Sequence, residues 1–312
     1  MQRCPVYDLH RLRLLRELKH RGTLAAVAQA LSYSPSTISQ QLSQLETEVG
    51  VPLLEPVGRR VRLTTEAEIL VGHVEAILAS LETAEADMAA SRNVLTGQLR
   101  IATFQTAAAS LVLPAVGHLN QQHPGLRVEV TQLEPERALP ALAAHDYDLV
   151  IAEEYPGRPR PQLAGQESQT LCEDPIRLAT AGPTSLADLA NRPWVMEPDD
   201  TMPGQWALSQ CRRAGFEPDV RYTSTDLTFH ARLIEQELAV GFLPDLLWHD
   251  RPARVTLTAL ADRPTRRIFT ATRRGGRTHP AIRAARAALR SAARGRPAPT
   301  RTEQRPGVAP PA

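Results

Sequence analysis

The segment from Leu18 to Leu45 contains no Asp or Glu, although acidic residues fill 34 of the 312 positions of the chain. Apolar residues recur at intervals of three and four, first over residues 24–31 and again over residues 38–49. This spacing places them on one face of a helix in each case. We therefore expect two short helices joined by a turn, with a surface that can lie against phosphate groups because it lacks carboxylates.

Capping residues delimit these two helices. Thr23 is a candidate N-cap for the first helix, and Ser34, followed by Pro35 at the first helical position, caps the second. Gly50 marks the end of the second helix. The apolar faces consist of Leu24, Val27, Ala28 and Leu31 in the first helix and of Ile38, Leu42, Leu45 and Val49 in the second.

The outer face of the second helix presents hydroxyl and amide side chains. Such groups both donate and accept hydrogen bonds, as side chains that read base edges in the major groove do. Each residue taken alone is equally well explained as ordinary helix surface. The candidate DNA-contacting residues of the two helices are Thr23, Ser34, Pro35, Ser36, Thr37, Ser39, Gln40, Gln41, Ser43 and Gln44.

Flanking segments complete a DNA-binding pattern. An upstream helix over residues 9–20 has a leucine face that supports the other two helices, and its arginines, Arg16 among them, are expected around the remaining surface. Downstream, two short apolar strands surround Gly58 and predict a hairpin. Its arginines, Arg59, Arg60 and Arg62, are either phosphate contacts or a solvated face. The order of three helices and a basic hairpin favours a winged helix-turn-helix.

Charge is unevenly distributed along the chain. The net charge of +2 combines a basic start, an acidic middle and a basic end, with 13 Arg and only 2 acidic residues over residues 261–312. The last residues, 294–312, are rich in Pro, Ala and Arg and are expected to be a disordered basic tail.

Residues 65–93 contain no proline and predict one long helix. Its apolar stripe consists of Leu70, Val74, Ile77, Leu81, Ala84 and Met88. Because such a helix is too long to pack on one small domain, we expect the stripe to contact the same helix of a second subunit. The alternative is a helix buried in the core of its own chain.

The sequence supports no cofactor, metal or membrane site. The three cysteines, Cys4, Cys172 and Cys211, are widely spaced and match neither a disulfide framework nor a zinc motif, although a redox switch between Cys172 and Cys211 stays open. The histidines lack ligand spacing. Because no run of 18 apolar residues and no signal peptide are present, we expect a cytoplasmic protein that does not interact with membranes.

The rest of the chain predicts an α/β fold. Residues 99–154 alternate strand, helix, strand, helix and strand, which implies parallel strands with helical crossovers. A proline-rich stretch at residues 155–162 interrupts this order, and a second series of strands and helices follows it. Two similar lobes are therefore expected.

The segment LSYSPSTISQQLSQLETEVGVPLLEPVGRRVRLT, residues 31–64, resembles the DNA-binding head of the LysR-type transcriptional regulators. The long helix resembles the dimerising linker helix of that family, and the chain up to about residue 292 is similar to its effector-binding part. Pro56 and Gln40 stand where the family usually has arginine, and Ala67 stands where it usually has glycine. The first two changes remove expected phosphate contacts.

The resemblance implies a specific architecture. It comprises a winged helix-turn-helix domain (residues 1–64), a dimerisation helix (65–93) and a two-lobed effector-binding domain (94–293) similar to periplasmic binding proteins. Lobe 1 covers about 94–160 and 267–293, and lobe 2 about 161–266. The resemblance also implies a homodimer or homotetramer and contact with RNA polymerase.

Ligands of open parallel sheets bind beyond the carboxyl ends of the strands, beside helix N-termini. The candidate effector-binding residues at these positions are Thr103, Gln105, Thr106, Thr201, Met202, Thr225 and Phe242. Each is equally well explained by helix capping or core packing. The hydroxyl groups predict a small anionic or polar effector between the lobes.

Three classes of function are compatible with this organisation. The first is a ligand-responsive transcription factor that binds double-stranded DNA at a near-palindromic operator. The second is a constitutive DNA-binding regulator with a non-functional sensor. The third is an enzyme on a two-lobed fold, for which the sequence offers no nucleophile motif, phosphate loop or carboxylate pair.

Overall fold

The computed structural model describes residues 7–58, 60–92, 94–161, 163–250 and 252–295. Cys4, candidate residue Arg59 and most of the predicted tail, residues 296–312, lie outside the described residues. The described chain forms an N-terminal head, one long helix and a two-lobed α/β unit.

The head, residues 7–64, contains the three predicted helices, α1 (Leu9–Arg21), α2 (Leu24–Leu31) and α3 (Pro35–Val49). Both predicted N-caps are confirmed. The hydroxyl of Thr23 accepts a hydrogen bond from the amide of Ala26 at 3.1 Å, and that of Ser34 accepts one from Thr37 at 3.1 Å. The predicted apolar faces meet in one core, in which Val27, Ile38, Leu42 and Leu45 are inaccessible to solvent.

The predicted hairpin follows α3. Strands β1 (Leu54–Val57) and β2 (Arg60–Leu63) pair antiparallel, with Pro56 opposite Val61. Glu46 of α3 fixes the start of this hairpin, because its carboxylate accepts hydrogen bonds from the amides of Leu53 and Leu54 at 2.8 and 3.0 Å. We call the hairpin the wing.

The long helix α4 (Thr65–Ala90) has two apolar faces. One face, with Ala67, Val71 and Leu78, packs into the core of the head. The other exposes Ile77, Leu81 and Met88, which belong to the predicted stripe, whereas Val74 of that stripe is buried within the chain. The helix therefore packs against its own chain on one side and leaves an apolar face uncovered on the other.

Lobe 1 is built on a parallel sheet of the predicted kind. Its parallel strands lie in the order β4 (Leu126–Gln132), β3 (Gly97–Thr103), β5 (Leu149–Glu154). Helices α5 (Gln105–Ala107), α6 (Leu113–Gln122), α7 (Pro135–Ala143) and α10 (Pro280–Arg294) cover it, with a π-helical turn, Ala108–Val112, between α5 and α6.

Lobe 2 repeats the pattern with a smaller sheet. It contains β7 (Pro193–Met196), α8 (Met202–Arg213), β8 (Asp219–Thr223), α9 (Leu227–Glu235), β9 (Gly241–Pro244) and β10 (Thr256–Ala259). Strands β7 and β8 are parallel, and an isolated parallel bridge joins Trp194 of β7 to Val240.

Two long strands connect the lobes. Strand β6 (Gln166–Thr180) pairs with β11 (Thr265–Arg273) up to Pro175 and with β9 and β10 from Ile176 onward. The first strand of the second predicted series, residues 176–180, is therefore the C-terminal part of a strand that begins at Gln166. The part of β6 up to Pro175 pairs with β11 and lies beside lobe 1. The sequence did not predict this part as a strand, because it follows directly after the proline-rich stretch.

The prediction that Arg16 lies on the exposed surface of α1 is wrong. Its side chain is buried, with 5% of the residue exposed. The guanidinium pairs with Glu17 at 2.9 Å and also donates to the carbonyl oxygen of Ala143 in lobe 1. Burial of this arginine results from packing against a segment 127 positions away, which the helical pattern of α1 cannot report.

Candidate DNA-binding surface and effector cleft

The outer face of α3 is exposed and carries polar side chains. Ser36, Ser39, Gln40, Ser43 and Gln44 all lie on this face and are exposed to solvent. Because Gln40 and Gln44 are four residues apart, they lie above one another on the helix surface. The two amides and the hydroxyls between them form a continuous strip of donors and acceptors.

The first turn of α3 is ordered by its own hydroxyl groups. The hydroxyl of Ser34 lies 2.7 Å from that of Ser36 and 2.8 Å from that of Thr37. Pro35 occupies the first helical position and is exposed. Candidate residue Thr23 caps α2 and is only partly exposed.

Gln41 differs from its neighbours on α3 because its side chain contacts α1. Its amide oxygen accepts a hydrogen bond from Nε of Arg11 at 3.1 Å, and Arg11 also pairs with Glu48. The carboxylates of Glu46 and Glu48, which follow the acid-free segment, are thus both engaged inside the head. The polar strip of α3 consequently carries no unpaired carboxylate among the described residues.

The wing contributes two exposed arginines to the surface of the head. Arg60 and Arg62 are both exposed, and Arg62 pairs with Glu55 across the two strands at 2.6 Å. An exposed pair of this kind is weak in water, so Arg62 is able to exchange Glu55 for a phosphate. Pro56, which stands where an arginine is usual, is exposed on β1.

The second candidate site is the cleft between the lobes. Gln105 connects the two sides, because its amide donates to Asp226 at 2.6 Å and its oxygen accepts from the amide of Leu227 at 2.9 Å. Asp226 is the N-cap of α9. The side chain of Gln105 therefore joins lobe 1 to the N-terminus of a lobe 2 helix.

Thr106 is buried and engaged within the chain. It does not cap the helix, which begins at Gln105 after Phe104 without a side-chain cap. The hydroxyl of Thr106 instead accepts a hydrogen bond from Arg266 at 2.8 Å. Thr103 is also buried, and its hydroxyl donates to the carbonyl oxygen of Phe104 at 3.3 Å.

The candidates of lobe 2 fall into two groups. Thr201 caps α8, accepting from the amide of Gly204 at 3.2 Å, and Thr225 is exposed. Met202 packs against the aromatic core of lobe 2, and Phe242 is part of that core and lines a pocket at the cleft. The structure thus brings Gln105 to the lobe boundary and Phe242 to the pocket.

Arg266 organises a buried charge network beneath the cleft. It is 1% exposed and pairs with Glu153 at 2.5 Å and with Asp174 at 2.8 Å. Burial opposes its charge, but the two carboxylates outweigh burial and raise the pKa of Arg266 above its usual range. The side chain is therefore a permanent cation with both partners in place.

Additional carboxyl groups, none of them among the site residues predicted from the sequence, surround this network. Glu197 follows β7 directly, and Glu134 precedes α7. Burial and the nearby Glu153 raise the pKa of Glu134 to about 7 and that of Glu197 well above its usual range. The available signal was a carboxylate placed immediately after a buried strand, in Val195–Met196–Glu197.

A third set of contacts joins the head and α4 to lobe 1. Arg21 of α1 pairs with Asp146 at 2.6 Å, and Glu82 of α4 pairs with Arg273 and lies 3.2 Å from His145. Burial, together with the nearby Arg273, lowers the pKa of His145 to about 2, so its ring is neutral. We refer to these contacts as the junction.

Comparison with known proteins agrees with this division of the chain. Residues 9–68 match the bacterial regulatory helix-turn-helix family of lysR type, and residues 92–294 match the LysR substrate binding domain. The second match alone covers more than half of the chain. The chain belongs to the LysR family of transcriptional regulators. It is accordingly a DNA-binding transcription regulator with an effector-binding domain.

LysR-type relatives align over most of the chain. The transcriptional dual regulator GltC of Bacillus subtilis is 26% identical over 255 residues, which cover 80% of this chain and 85% of GltC. A probable hydrogen peroxide-inducible genes activator of Mycobacterium avium is 28% identical over 283 residues, covering 82% and 85% of the two chains. These relatives are transcriptional regulators.

Solved LysR-type structures share the fold. Full-length OxyR C199D of Pseudomonas aeruginosa superimposes with a TM-score of 0.67 at 19% identity, covering 96% of this chain and 99% of OxyR. Full-length CbnR in complex with its target DNA gives a TM-score of 0.51 at 20% identity, covering 92% and 100%. In the described part of the present chain, no helix is long and apolar enough to cross a membrane.

Proposed function

We propose that this LysR-type regulator binds a near-palindromic operator through α3 and the wing, and that a small molecule between the lobes modulates the binding. The observation that carries the proposal is the exposed hydroxyl and amide strip of α3, which holds no unpaired carboxylate among the described residues. A glutamine is able to bond an adenine edge with both its amide atoms, whereas Arg60 and Arg62 suit phosphates.

The proposed division of labour follows the elements. The head would occupy residues 1–64, α4 and its flanks residues 65–93, and the effector-binding domain residues 94–293. Two heads joined through α4 would meet two half-sites on one side of the duplex, as a homodimer or within a homotetramer. We further propose a cytoplasmic protein without catalytic activity that contacts RNA polymerase from the operator.

Variants of Gln40 and Arg60 test the proposed DNA contacts. We expect Gln40→Ala to reduce discrimination at one base position by about 1–3 kcal/mol, because a base-edge contact is lost. Arg60→Ala should weaken binding to every duplex and lower the slope of log affinity against log salt by about 1, because one phosphate contact is lost. The measurement is fluorescence anisotropy on operator and random duplexes at several salt concentrations.

A matched control is Arg232→Ala, which removes an exposed arginine from α9, far along the chain from the head. It should leave affinity, base preference and salt dependence unchanged. If Gln40→Ala and Arg60→Ala reduced the affinity for operator DNA and for random DNA by the same factor, the assigned roles would be contradicted.

A constitutive regulator with a non-functional sensor is the second candidate. Gln105 already occupies the N-terminus of α9, and the two lobes are already joined there. The favoured sensor function rests instead on the match of residues 92–294 to the LysR substrate binding domain. Thermal-shift measurements separate the two candidates, since a ligand at 100 times its Kd adds about 2.7 kcal/mol of stability.

Peroxide sensing, which the names of some relatives suggest, is not favoured by the described cysteines. Burial raises the pKa of the Cys211 thiol to about 12, and the thiolate is the reactive form. Cys211 lies in the core of lobe 2, whereas Cys172 packs against the core of lobe 1. We expect operator affinity to change less than about twofold after peroxide treatment, and a larger, thiol-reversible change would contradict this expectation.

A further inference from the structure

A cavity lies beside the junction, where the head, α4 and lobe 1 meet. Its volume is about 190 Å³, and none of its described lining residues borders the pocket at the interlobe cleft. Its walls come from α1, from α4 between Glu75 and Glu82, and from the ends of α7 and β11 and the start of β6. An apolar cavity of about 150 Å³ in a protein interior holds benzene, so this cavity has room for a small organic molecule.

The polar groups inside the cavity already have partners in the protein. Arg273 pairs with Glu82 at 2.5 Å, and Arg16 pairs with Glu17 at 2.9 Å. The amide of Gln166 donates to a main-chain carbonyl oxygen at 2.8 Å. The rest of the wall consists of two glycines and five small or aliphatic residues, Ala76, Leu78, Ala79, Ala143 and Ala164. An apolar part of a ligand therefore fits the interior without leaving these charges unpaired.

One cation at the opening of the cavity has no partner. Arg274 is exposed, and its guanidinium makes no hydrogen bond or ion pair with any described residue. Its main chain is fixed, because its amide donates to the carbonyl oxygen of Gly165 at 2.8 Å and the next residue, Gly275, packs closely against α4. The opening lies among Arg274 and the other exposed lining residues, Ala76, Ala164 and Gly165. A carboxylate at the opening would give Arg274 a partner.

The electrostatic potential at the cavity wall favours an anion. Burial and the nearby Arg273 and Arg16 lower the pKa of His145 to about 2, and burial and Arg16 also lower the pKa of His20. Both imidazole rings are therefore neutral at pH 7. The lining side chains that are charged at this pH are three arginines and two glutamates, and one of these glutamates, Glu82, is bound by Arg273.

Glu75 is the carboxylate that would attract a cation instead. Its Oε1 atom lies 3.4 Å from Nε2 of His20, on the α1 side of the cavity. Burial lowers the pKa of Arg16, and the negative charges of Glu17 and Glu75 oppose this effect. The charge of Glu75 is thus balanced by a buried arginine of the head, whereas Arg274 on the lobe 1 side has no such counter-ion.

We propose that this cavity is a second ligand site, separate from the interlobe cleft, for a small organic acid. The apolar ring or chain of the acid would lie against α4, and its carboxylate would pair with Arg274 at the opening. Because the ligand would touch α1, α4 and lobe 1, it would stabilise the attachment of the head to the sensor. This inference goes beyond the proposed function, which places the effector between the lobes.

Isothermal titration calorimetry of the full chain tests the ligand class. Benzoate, benzyl alcohol and benzylamine share a ring and differ in charge, and acetate carries the charge without the ring. We expect saturable binding of benzoate and about tenfold weaker binding of the other three probes, because each lacks the ring or the carboxylate. Binding of any of the three as tight as that of benzoate, or no saturable binding of benzoate, would overturn the proposal.

The variant Arg274→Gln tests the counter-ion. It should weaken benzoate binding about fivefold, which is the effect of losing one favourable exposed ion pair. The matched control is Arg277→Gln, in the turn that follows Arg274. Arg277 is exposed, does not line the cavity and pairs with Glu167 at 3.5 Å, so its loss should leave benzoate binding unchanged. Equal benzoate affinity of the two variants would show that Arg274 does not bind the carboxylate.

The variant Ala164→Phe tests the location of the site. Ala164 lies in an exposed turn before β6, so a ring there would narrow the opening and should greatly reduce benzoate binding. The control Ala181→Phe places the same ring on an exposed alanine directly after β6, at the other end of the strand. It should bind benzoate as the parent does. Equal binding by both phenylalanine variants would place the ligand elsewhere and overturn the site.

Hydrogen exchange measures the effect on the attachment of the head. We expect saturating benzoate to slow exchange at the end of α1 and at the start of β6 in the parent and not in Ala164→Phe. Protection confined to lobe 2 would place benzoate outside the junction and overturn the site. None of these measurements involves DNA, so failure of the proposed DNA contacts would leave the ligand site standing.

Discussion

Arg266 is the residue on which the electrostatics of the cleft depend. It is buried with Glu153 and Asp174, and removing one member of such a group leaves an uncompensated charge in the interior. Its two carboxylate bonds also leave Glu134 and Glu197 without a cation of their own. Those two carboxyl groups therefore keep their protons more readily than an exposed glutamate does.

The stability of the sensor should consequently depend on pH through Glu134. Burial and the neighbouring Glu153 and Glu136 raise its pKa to about 7, against the weaker opposing effect of Arg266 and Arg160. The folded state thus binds this proton more tightly than the unfolded state. The stabilising contribution is complete below the pKa of an unfolded glutamate and is lost as the pH rises through about 7.

Glu134→Gln should therefore raise Tm relative to the parent at pH 8 and change it little at pH 5, because Gln mimics the neutral carboxyl. Differential scanning calorimetry at both pH values measures the effect. Glu217→Gln serves as the control, and its Tm difference should be the same at both pH values. A Tm difference for Glu134→Gln that is independent of pH would contradict the proposed ionisation.

At the scale of elements, local sequence patterns predicted the helices of the head but not the contacts between residues that are distant in the sequence. The caps Thr23 and Ser34 and the apolar face of α3 depend on neighbours a few residues away, so the sequence reports them. The engagement of Thr106 by Arg266 depends on a residue 160 positions away. Glu197 was missed as a site residue for the same reason, because its surroundings assemble from both lobes.

Helix α4 leaves an apolar face without a partner in its own chain. Ile77 and Leu81 are 46% and 42% exposed on this face. We expect Ile77→Glu to convert the native oligomer to monomers or to weaken it strongly, because a charge would be buried between two copies of the helix. Sedimentation analysis measures the change.

The control for this variant is Leu238→Glu, at a comparably exposed leucine of lobe 2. It should leave the oligomer intact. An unchanged oligomeric state in Ile77→Glu would show that α4 does not carry the subunit contact and would favour its role as an internal support.

At the scale of the whole molecule, the junction fixes the head to lobe 1. The tight turn Gly275–Thr278 lies directly against α4, and a Cβ atom on Gly275 would come within 2.4 Å of the carbonyl oxygen of Ala79. We expect Gly275→Ala to displace the turn from α4 and to increase hydrogen exchange in α4 and at the lobe 1 end of the junction.

Gly276→Ala is a closely matched control. A Cβ atom there meets only Ile282, at an ordinary contact distance of 3.6 Å. Its exchange should equal that of the parent. If Gly275→Ala and Gly276→Ala exchange alike, the close approach at Gly275 does not hold the head and the sensor together.

The change of paired strands along β6 determines how the two lobes are able to move relative to each other. One uninterrupted strand, β6, belongs to both lobes, and the strands paired with it change after Pro175. We therefore expect the hinge between the lobes at Pro175. Every described ion pair from the head or α4 to the sensor ends on lobe 1. Once the hydrogen bonds of Gln105 to Asp226 and Leu227 are broken, lobe 2 is therefore able to turn about Pro175 while lobe 1 keeps its ion pairs with the head and α4.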